Sequence, residues 1–557
     1  MVYGPPSIVR ILNRGTMKLV TVEQMKAIEQ EANVRGLSYD DMMENAGLGL
    51  ADLILDIFAD EIEPSVLGLV GPGNNGGDTL IALTHLLKEG WKAQAYLVKR
   101  KADELVKGFQ EAGGEVVAAS KDKDFESLVS ALENVDLLLD GVLGTGIKLP
   151  LKDDVGDVLT ETNAVLDEMD DAHFVIAVDC PSGIDCDTGE AADECIPADL
   201  TITMAAVKQG LLKLPAFEFV GDLEVVDIGL PDDLPSLRVL QIEVAVADTV
   251  AEILPERPVD SHKGTFGTAL IAAGSVNYTG AALLSGQAAY RVGAGLVTMA
   301  VPGPLHVALA GQFPEATWIL LPHEVGVISE NAAEVLTRNF ERATALLIGP
   351  GLGIEDTTKE FIQNLLAGES APKKSTSHIG FLQGDSGKKE ETSESLPPMV
   401  VDADGLKLLA KISDWHKLLP KSSILTPHPG EMAVLTGLSK EEIQESRLEI
   451  ARKYAKEWEH VVVLKGAFTV IASPDGRATI IPVASPALAR AGTGDVLAGL
   501  IVGLRAQGVD AYNAAVAGAW IHAQAGLYAA DDLGTAASVL ASDVLNSVSD
   551  VLSELES

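Results

Sequence analysis

Aromatic side chains are scarce in this chain: Phe, Trp and Tyr together make up 4% of 557 residues. With 53 glycines and 47% apolar residues, that scarcity points to alanine- and valine-rich α/β layers joined by tight glycine turns, and it leaves no room for disorder throughout. Cysteine is scarcer still. Cys180, Cys186 and Cys195 form no CxxC pair and have no histidine cluster beside them, so a disulfide framework and a Cys/His zinc site are both excluded, and reduced thiols are expected. Basic residues are outnumbered, 41 against 81 acidic ones, for a net charge of −40. Such a field repels nucleic acid and anionic lipid. A small anion can still bind where backbone amides and helix N-termini supply local positive potential. Long apolar runs are missing too. Met1–Thr16 has no stretch of signal-peptide length and is expected to be a loose extension, and Arg505, Asp510 and His522 interrupt Val496–Ala530, which predicts buried helices. Cytoplasmic placement and no membrane partner are the expectations.

What is present falls into two blocks of alternating strand and helix patterns, and the length calls for about two to four domains. In the first block the apolar runs Val66–Val70, Ala95–Val98, Leu137–Leu139 and Val175–Val178 are bounded by Gly, Pro or Asp, with helical patterns such as Asp78–Glu89 and Phe125–Leu132 between them. That alternation predicts a parallel sheet covered on both faces. Leu230–Arg238 is expected to be a linker, which gives an extension over 1–16, a first domain over 17–236 and a second over 237–557. In the second block Thr268–Ala273, Leu296–Val301, Ala345–Ile348, Met399–Val401, Ile424–Leu425 and Val461–Leu464 predict strands. The Ser-, Lys- and Glu-rich stretch at 369–397 has almost no apolar periodicity and is expected to be a disordered surface insertion without function.

Three strand ends of the first block carry chemistry. Leu69 begins L-V-G-P-G-N-N-G-G-D-T, a glycine loop leading to a helix expected near Asp78, which can act as its N-cap. Leu137–Leu139 runs into Asp140 and G-V-L-G-T-G-I-K-L-P, while Val175–Val178 runs into Asp179 and C-P-S-G-I-D. Parallel neighbours would bring Asn74, Asn75, Asp140, Asp179 and Ser182 to one sheet edge, where ligands bind in doubly wound folds. Oxygen donors from Asn, Asp and Ser suit a hard cation, and a carboxylate at a strand end suits a general base. Each aspartate alone could equally be a cap.

Together with A-D-L-T-I-T-M-A-A-V-K-Q-G, these motifs resemble the NAD(P)H-hydrate epimerase family over roughly Met17–Pro231. The resemblance implies a Rossmann-like three-layer fold, a bound K+ and interconversion of the R and S forms of NADHX and NADPHX, nicotinamide cofactors hydrated at C6. It implies contact with the hydrate from Asn74, Asn75, Gly76, Gly77 and Asp78 and from Gly144, Thr145, Gly146, Ile147, Lys148, Leu149 and Pro150. Asn75, Asp140 and Ser182 would hold K+, Asp179 would contact the hydrate as acid/base, and Lys148 would be an electrostatic partner. One departure stands out: Thr79 occupies a position where the family usually has Gly.

The second block ends in A-R-A-G-T-G-D-V-L-A-G-L, Ala489–Leu500. Glycines ahead of an aspartate that opens an apolar helix make an anion hole with a carboxylate beside it, which suits phosphoryl transfer with Asp495 as base. K-G-A-F-T follows a strand, and T-P-H-P-G-E-M holds His428 between two prolines. I-G-P-G-L-G and A-G-S-V-N-Y-T-G-A-A add further loops. The set is similar to the ADP-dependent NAD(P)H-hydrate dehydratase family, with a ribokinase-like α/β fold. The resemblance implies contact with the S hydrate from Ala281, Gly353, His428 and Asp495. Lys465, Gly466, Ala467, Phe468, Thr469 and Gly494 would hold the adenine nucleotide, with ADP as co-substrate and Mg2+ expected. The chain would then be a bifunctional isomerase and lyase, expected to be a homo-oligomer. Two alternatives stay open at this point: a ribokinase-like kinase for a vitamin precursor such as hydroxymethylpyrimidine, and a first domain that only binds.

Overall fold

The computed structural model describes residues 10–11, 17–59, 61, 64–169, 173–368 and 396–556. Most of the expected N-terminal extension and nearly all of the expected insertion, 369–395, lie outside the described residues. The chain divides into two compact units, Met1–Val246 and Ala247–Ser557.

The first unit is built on a parallel sheet whose strands lie in the order Arg10–Ile11, Asp222–Val226, Leu200–Met204, Phe174–Val178, Leu137–Gly141, Ser65–Val70, Lys92–Leu97 and Glu115–Ala118. Alternation along each strand feeds two separate apolar layers. Val66 and Val70, Leu137 and Leu139, Ile176 and Val178 join one cluster with helices Val22–Val34, Tyr39–Ile57 and Asn74–Lys88. Leu67, Leu69, Leu138 and Val175 join another with helices Glu126–Leu132 and Asp153–Glu168. The period-two pattern therefore makes three layers. Because Ser65–Val70, Leu137–Gly141 and Phe174–Val178 are parallel neighbours, their carboxyl ends share one edge.

Two local expectations change. The helix after the glycine loop starts at Asn74 with Gly73 as its cap, so Asp78 sits inside the helix and is not its N-cap. Gly76 explains the early start. A β-carbon on it would fall 2.0 Å from the carbonyl oxygen of Gly71, a close approach that only glycine permits. Leu230–Arg238 belongs to the body of the first unit: Leu234 is buried, Ser236 N–H donates to Glu31 (3.0 Å), and Asp233 pairs with Arg35 (3.3 Å). All three cysteines are free and buried.

In the second unit the strands run Thr317–Leu321, Leu296–Pro302, Thr268–Ala272, Ala345–Ile348, Met399–Val401, Ile424–Leu425 and Val461–Leu464 as a parallel series. Val470–Ala472 and Ala478–Ile480 extend it as an antiparallel ribbon. The alanine-rich segment forms two helices, Thr493–Ala506 and Ala511–Asp532, packed against each other. Among the described residues no helix is long and apolar enough to cross a membrane.

Candidate active sites

At the shared edge of the first sheet, Asn75, Asp140 and Ser182 meet. Asp140 Oδ2 accepts from Ser182 N–H (2.7 Å) and Oδ1 accepts from Ser182 Oγ (2.5 Å). The carboxamide of Asn75 donates to the carbonyl oxygens of Val178 (2.6 Å) and Leu143 (3.2 Å), and its oxygen abuts Gly144, where a β-carbon would lie 2.2 Å away. Asp140 is 1% exposed, and burial pushes its carboxyl up despite the Ser182 hydrogen bonds. Among the described residues no cationic side chain pairs with it. Asn75, Asp140 and Ser182 are oxygen-bearing side chains of the kind a hard monovalent cation takes. The donor set fits K+.

Asp179 follows the strand Phe174–Val178 with φ at 66°, a left-handed conformation that turns its carboxylate away from the strand direction. Oδ1 accepts from Met204 N–H (3.0 Å), Thr203 Oγ (3.1 Å) and the ammonium of Lys208. Lys208 is 1% exposed and also donates to the Met204 carbonyl (2.8 Å) and to Thr203 (3.0 Å). Among the described residues these three donors converge on Oδ1.

Lys208 is the cation the sequence reasoning missed. It stands in the A-A-V-K-Q-G segment directly after a buried strand, and that position was its only signal. Lys148 is exposed on the Gly144–Pro150 loop and forms no ion pair among the described residues. Asp78 is buried, and burial first, then the charge of Asp179, holds its carboxyl well above the usual range. Glu29, on the first helix, is raised by burial against the opposing pull of Lys208. Three carboxylates therefore sense one lysine, and nothing local in the sequence announces Glu29. Thr79 is accommodated: its hydroxyl donates to the Asn75 carbonyl (2.7 Å), and Gly141 leaves room for it.

The second unit contains a cavity of about 690 Å³ lined by His428, Lys465, Gly466, Ala467, Thr469, Arg490 and Gly494 at a polar side, with Ile481, Val483, Leu488 and Leu497 supplying apolar wall. Phe468 turns inward, 9% exposed, and is not among the lining residues. Gly492 caps the helix Thr493–Ala506, so Asp495 lies in its first turn. Gly494 approaches Lys465 closely enough that a β-carbon would be 3.5 Å from the ammonium.

Lys465 Nζ donates to Asp402 (2.6 Å) and stands 3.8 Å from Glu431; Asp402 also accepts from Thr426 Oγ (2.7 Å). Burial alone would depress Lys465, but Asp402 and Glu431 outweigh it and raise its pKa. Asp495 is pushed up to about 7, chiefly by burial and then by the charge of Asp402, with Lys465 opposing. His428 caps Pro429–Thr436, its Nδ1 accepting from Gly430 N–H (2.9 Å), and burial lowers its pKa. Ala281, in the first turn of the helix Thr279–Arg291, and Gly353, on a loop, lie beside one another's neighbours. A β-carbon on Gly351 would meet that of Ala281 at 2.8 Å, and Gly353 N–H donates to Asp404 (3.0 Å).

Asp402, Asp404 and Glu431 are further site residues that motif reading passed over. Asp402 does carry the strand-end signature already seen at Asp140 and Asp179. Among the described residues no group of three or more His, Cys, Asp or Glu is placed to hold a metal. Two carboxylates, Asp402 and Glu431, stand beside the anion hole, which is the protein share Mg2+ commonly takes when phosphates supply the remaining ligands.

Comparison with known proteins gives two family matches, NAD(P)H-hydrate dehydratase over residues 269–372 and 386–549, and YjeF-related protein N-terminus over 39–210. The bifunctional NAD(P)H-hydrate repair enzyme Nnr of Moorella thermoacetica is 36% identical over 97% of each chain, and that of Escherichia coli is 31% identical over 93% of this chain and 90% of its own. Among solved structures, the ADP/ATP-dependent NAD(P)H-hydrate dehydratase of Bacillus subtilis, co-crystallised with ATP and Mg2+, is 31% identical over 56% of this chain and 98% of its own, with a TM-score of 0.45. The chain belongs to the family of bifunctional NAD(P)H-hydrate repair enzymes.

Proposed function

We propose that the first unit epimerises R- and S-NAD(P)HX and that the second dehydrates the S form, converting ADP to AMP and phosphate. The observation that carries the dehydratase half is Asp495: a carboxylate poised near neutrality, in the first turn of a helix whose N-terminal amides meet Lys465 beside a nucleotide-sized cavity. Hydroxide is a poor leaving group. Asp495 takes the proton of the C6 hydroxyl as its oxygen attacks the terminal phosphoryl of the nucleotide. The amides at Thr493 and Gly494, with Lys465, stabilise charge on the moving group. The C6–O bond then breaks with loss of phosphate, a C5 proton departs and the ring double bond returns. Bound Mg2+ would neutralise phosphate charge, with Asp402 and Glu431 as its protein ligands.

In the first unit Asp179 serves as acid/base at the C6 hydroxyl through Oδ2, and Lys208 holds its other oxygen. Asn75, Asp140 and Ser182 would hold K+. The amides around Asn74–Asp78, at the N-terminus of a 15-residue helix, favour the substrate's phosphates. The substrates and the three free thiols fit a reducing cytoplasm.

The first experiment gives the purified protein a mixture of R- and S-NADHX with ADP, Mg2+ and K+, and follows NADH and AMP together. Complete recovery of NADH from both epimers, one AMP per NADH, is expected. Recovery that stops when S is spent would refute the epimerase half, and phosphate ester accumulating in place of NADH would favour a kinase. Replacing K+ by tetramethylammonium is expected to slow epimerisation while leaving dehydration of pure S hydrate unchanged. Asp140→Asn should erase that ion dependence, and a variant still stimulated by K+ would exclude Asp140 as a ligand.

A further inference from the structure

Arg447 opens the helix Arg447–Trp458, and its guanidinium is spent on the loop ahead of it. Nη2 donates to the carbonyl oxygens of Leu464 (2.9 Å) and Lys465 (3.2 Å), and Nη1 donates to Gln444 (2.8 Å). Gly466, at φ 140°, lies so close above it that a β-carbon would be 3.1 Å from both terminal nitrogens. Its Nε is sealed from solvent and has no partner among the described residues. Burial lowers its pKa to about 10, and among the described residues no carboxylate acts to restore it. In a chain with 81 acidic residues this is an unusual economy of countercharge. Among the described residues every partner of this half-buried guanidinium is neutral, yet a desolvated cation needs an anion or pays in desolvation. The loop it grips, Lys465–Thr469, is wall of the 690 Å³ cavity.

We propose that Arg447 is a positioning residue for nucleotide binding: it pins the carbonyls at the entrance of the Lys465–Thr469 loop, and its charge is balanced by the phosphates of a nucleoside diphosphate. This rests on reading the cavity as the nucleotide site. The arginine acts through the loop, from behind, and touches no reacting atom. Nη2 holds both carbonyls while Nη1 of the same planar group is tied to Gln444, so the guanidinium plane fixes the orientation of successive peptides in a way a freely rotating ammonium does not.

The test is titration of the full-length protein with ADP by calorimetry, over a range of salt, beside steady-state KM values for ADP and S hydrate. Arg447→Met is expected to weaken ADP binding about tenfold or more, the scale of a lost charged hydrogen-bond pair, with Arg447→Lys in between. KM for ADP should rise with that loss of affinity while KM for the hydrate stays near the parent's. The salt dependence of ADP binding should also be shallower in Arg447→Met, since one cation has gone. A merely structural tie would leave that slope unchanged. ADP affinity equal to the parent's, an unchanged slope, or an equal rise in hydrate KM would overturn the proposal. Should Arg447→Met not fold, Arg447→Lys decides, because it keeps the charge and loses the fork; parent-like affinity there also overturns it. A parent that itself binds no ADP would fail the reading of the cavity, a result separate from any difference between parent and variants.

Discussion

Replacing Asp495 with Asn is expected to lower dehydratase turnover by about 10²–10⁴-fold, the usual loss when a positioned base is removed, while epimerisation continues at the parent rate. With the carboxyl pushed up to about 7, the parent's dehydration rate should rise with pH through neutrality and level off above it. The variant's residual rate should not follow that curve. Stability moves the opposite way. The folded state holds the Asp495 proton up to about pH 7, whereas the unfolded chain releases it near the ordinary value of 3.8, so the folded state binds more protons across that window. Stability therefore falls as pH climbs from about 4 to 7, and the penalty is complete above 7. A shift of about three units sets a ceiling of roughly 4 kcal/mol, and screening at a partly exposed carboxyl reduces the expected gain in Asp495→Asn to about 1–2 kcal/mol. Thermal melts of the second unit should show that gain above pH 7 and none below pH ~4. A variant that dehydrates at the parent rate would remove Asp495 as the base.

The second large effect is expected at Lys208. Lys208→Met strands the Oδ1 side of Asp179 in a buried site, and breaking a buried pair from one side costs about 3–5 kcal/mol. The first unit should melt earlier and epimerisation should be lost, while dehydration of pure S hydrate is retained. Asp179→Asn alone should remove epimerisation and leave Lys208 uncompensated. The double variant Lys208→Met with Asp179→Asn should recover much of the stability and none of the activity, because the stranded charge is gone while the base is still missing. Comparable melting of the single and double variants would show that the pair's electrostatics do not matter to the fold. Epimerisation surviving in Lys208→Met would reduce Lys208 to a packing role.

Much of this protein was legible before any coordinates. Strand–helix alternation set two α/β series, because a strand buried on both faces needs a continuous apolar run and a crossover helix needs the 3.6-residue period. Local motifs located N-N-G-G-D, the strand-end aspartates 140 and 179, and G-T-G-D, since glycines and short polar caps at strand ends are dictated by backbone sterics that act within a few residues. Tertiary structure decided the rest. The partner of Asp179 is Lys208, 29 positions away, because a left-handed turn at Asp179 and the register of two neighbouring strands bring them together. Lys465 is held by Asp402, 63 positions away, across the ends of two strands separated by Ile424–Leu425. Helix start was also settled by packing: Gly76 fits against Gly71, which moves the first turn ahead of Asp78. Charge pairing depends on distance through space and on how much water is excluded, and neither is written in local sequence. The motifs could name Asp179, Asp495 and Lys465; only the fold could supply Lys208 opposite Asp179, Asp402 opposite Lys465 and the burial that brings Asp495 near neutrality.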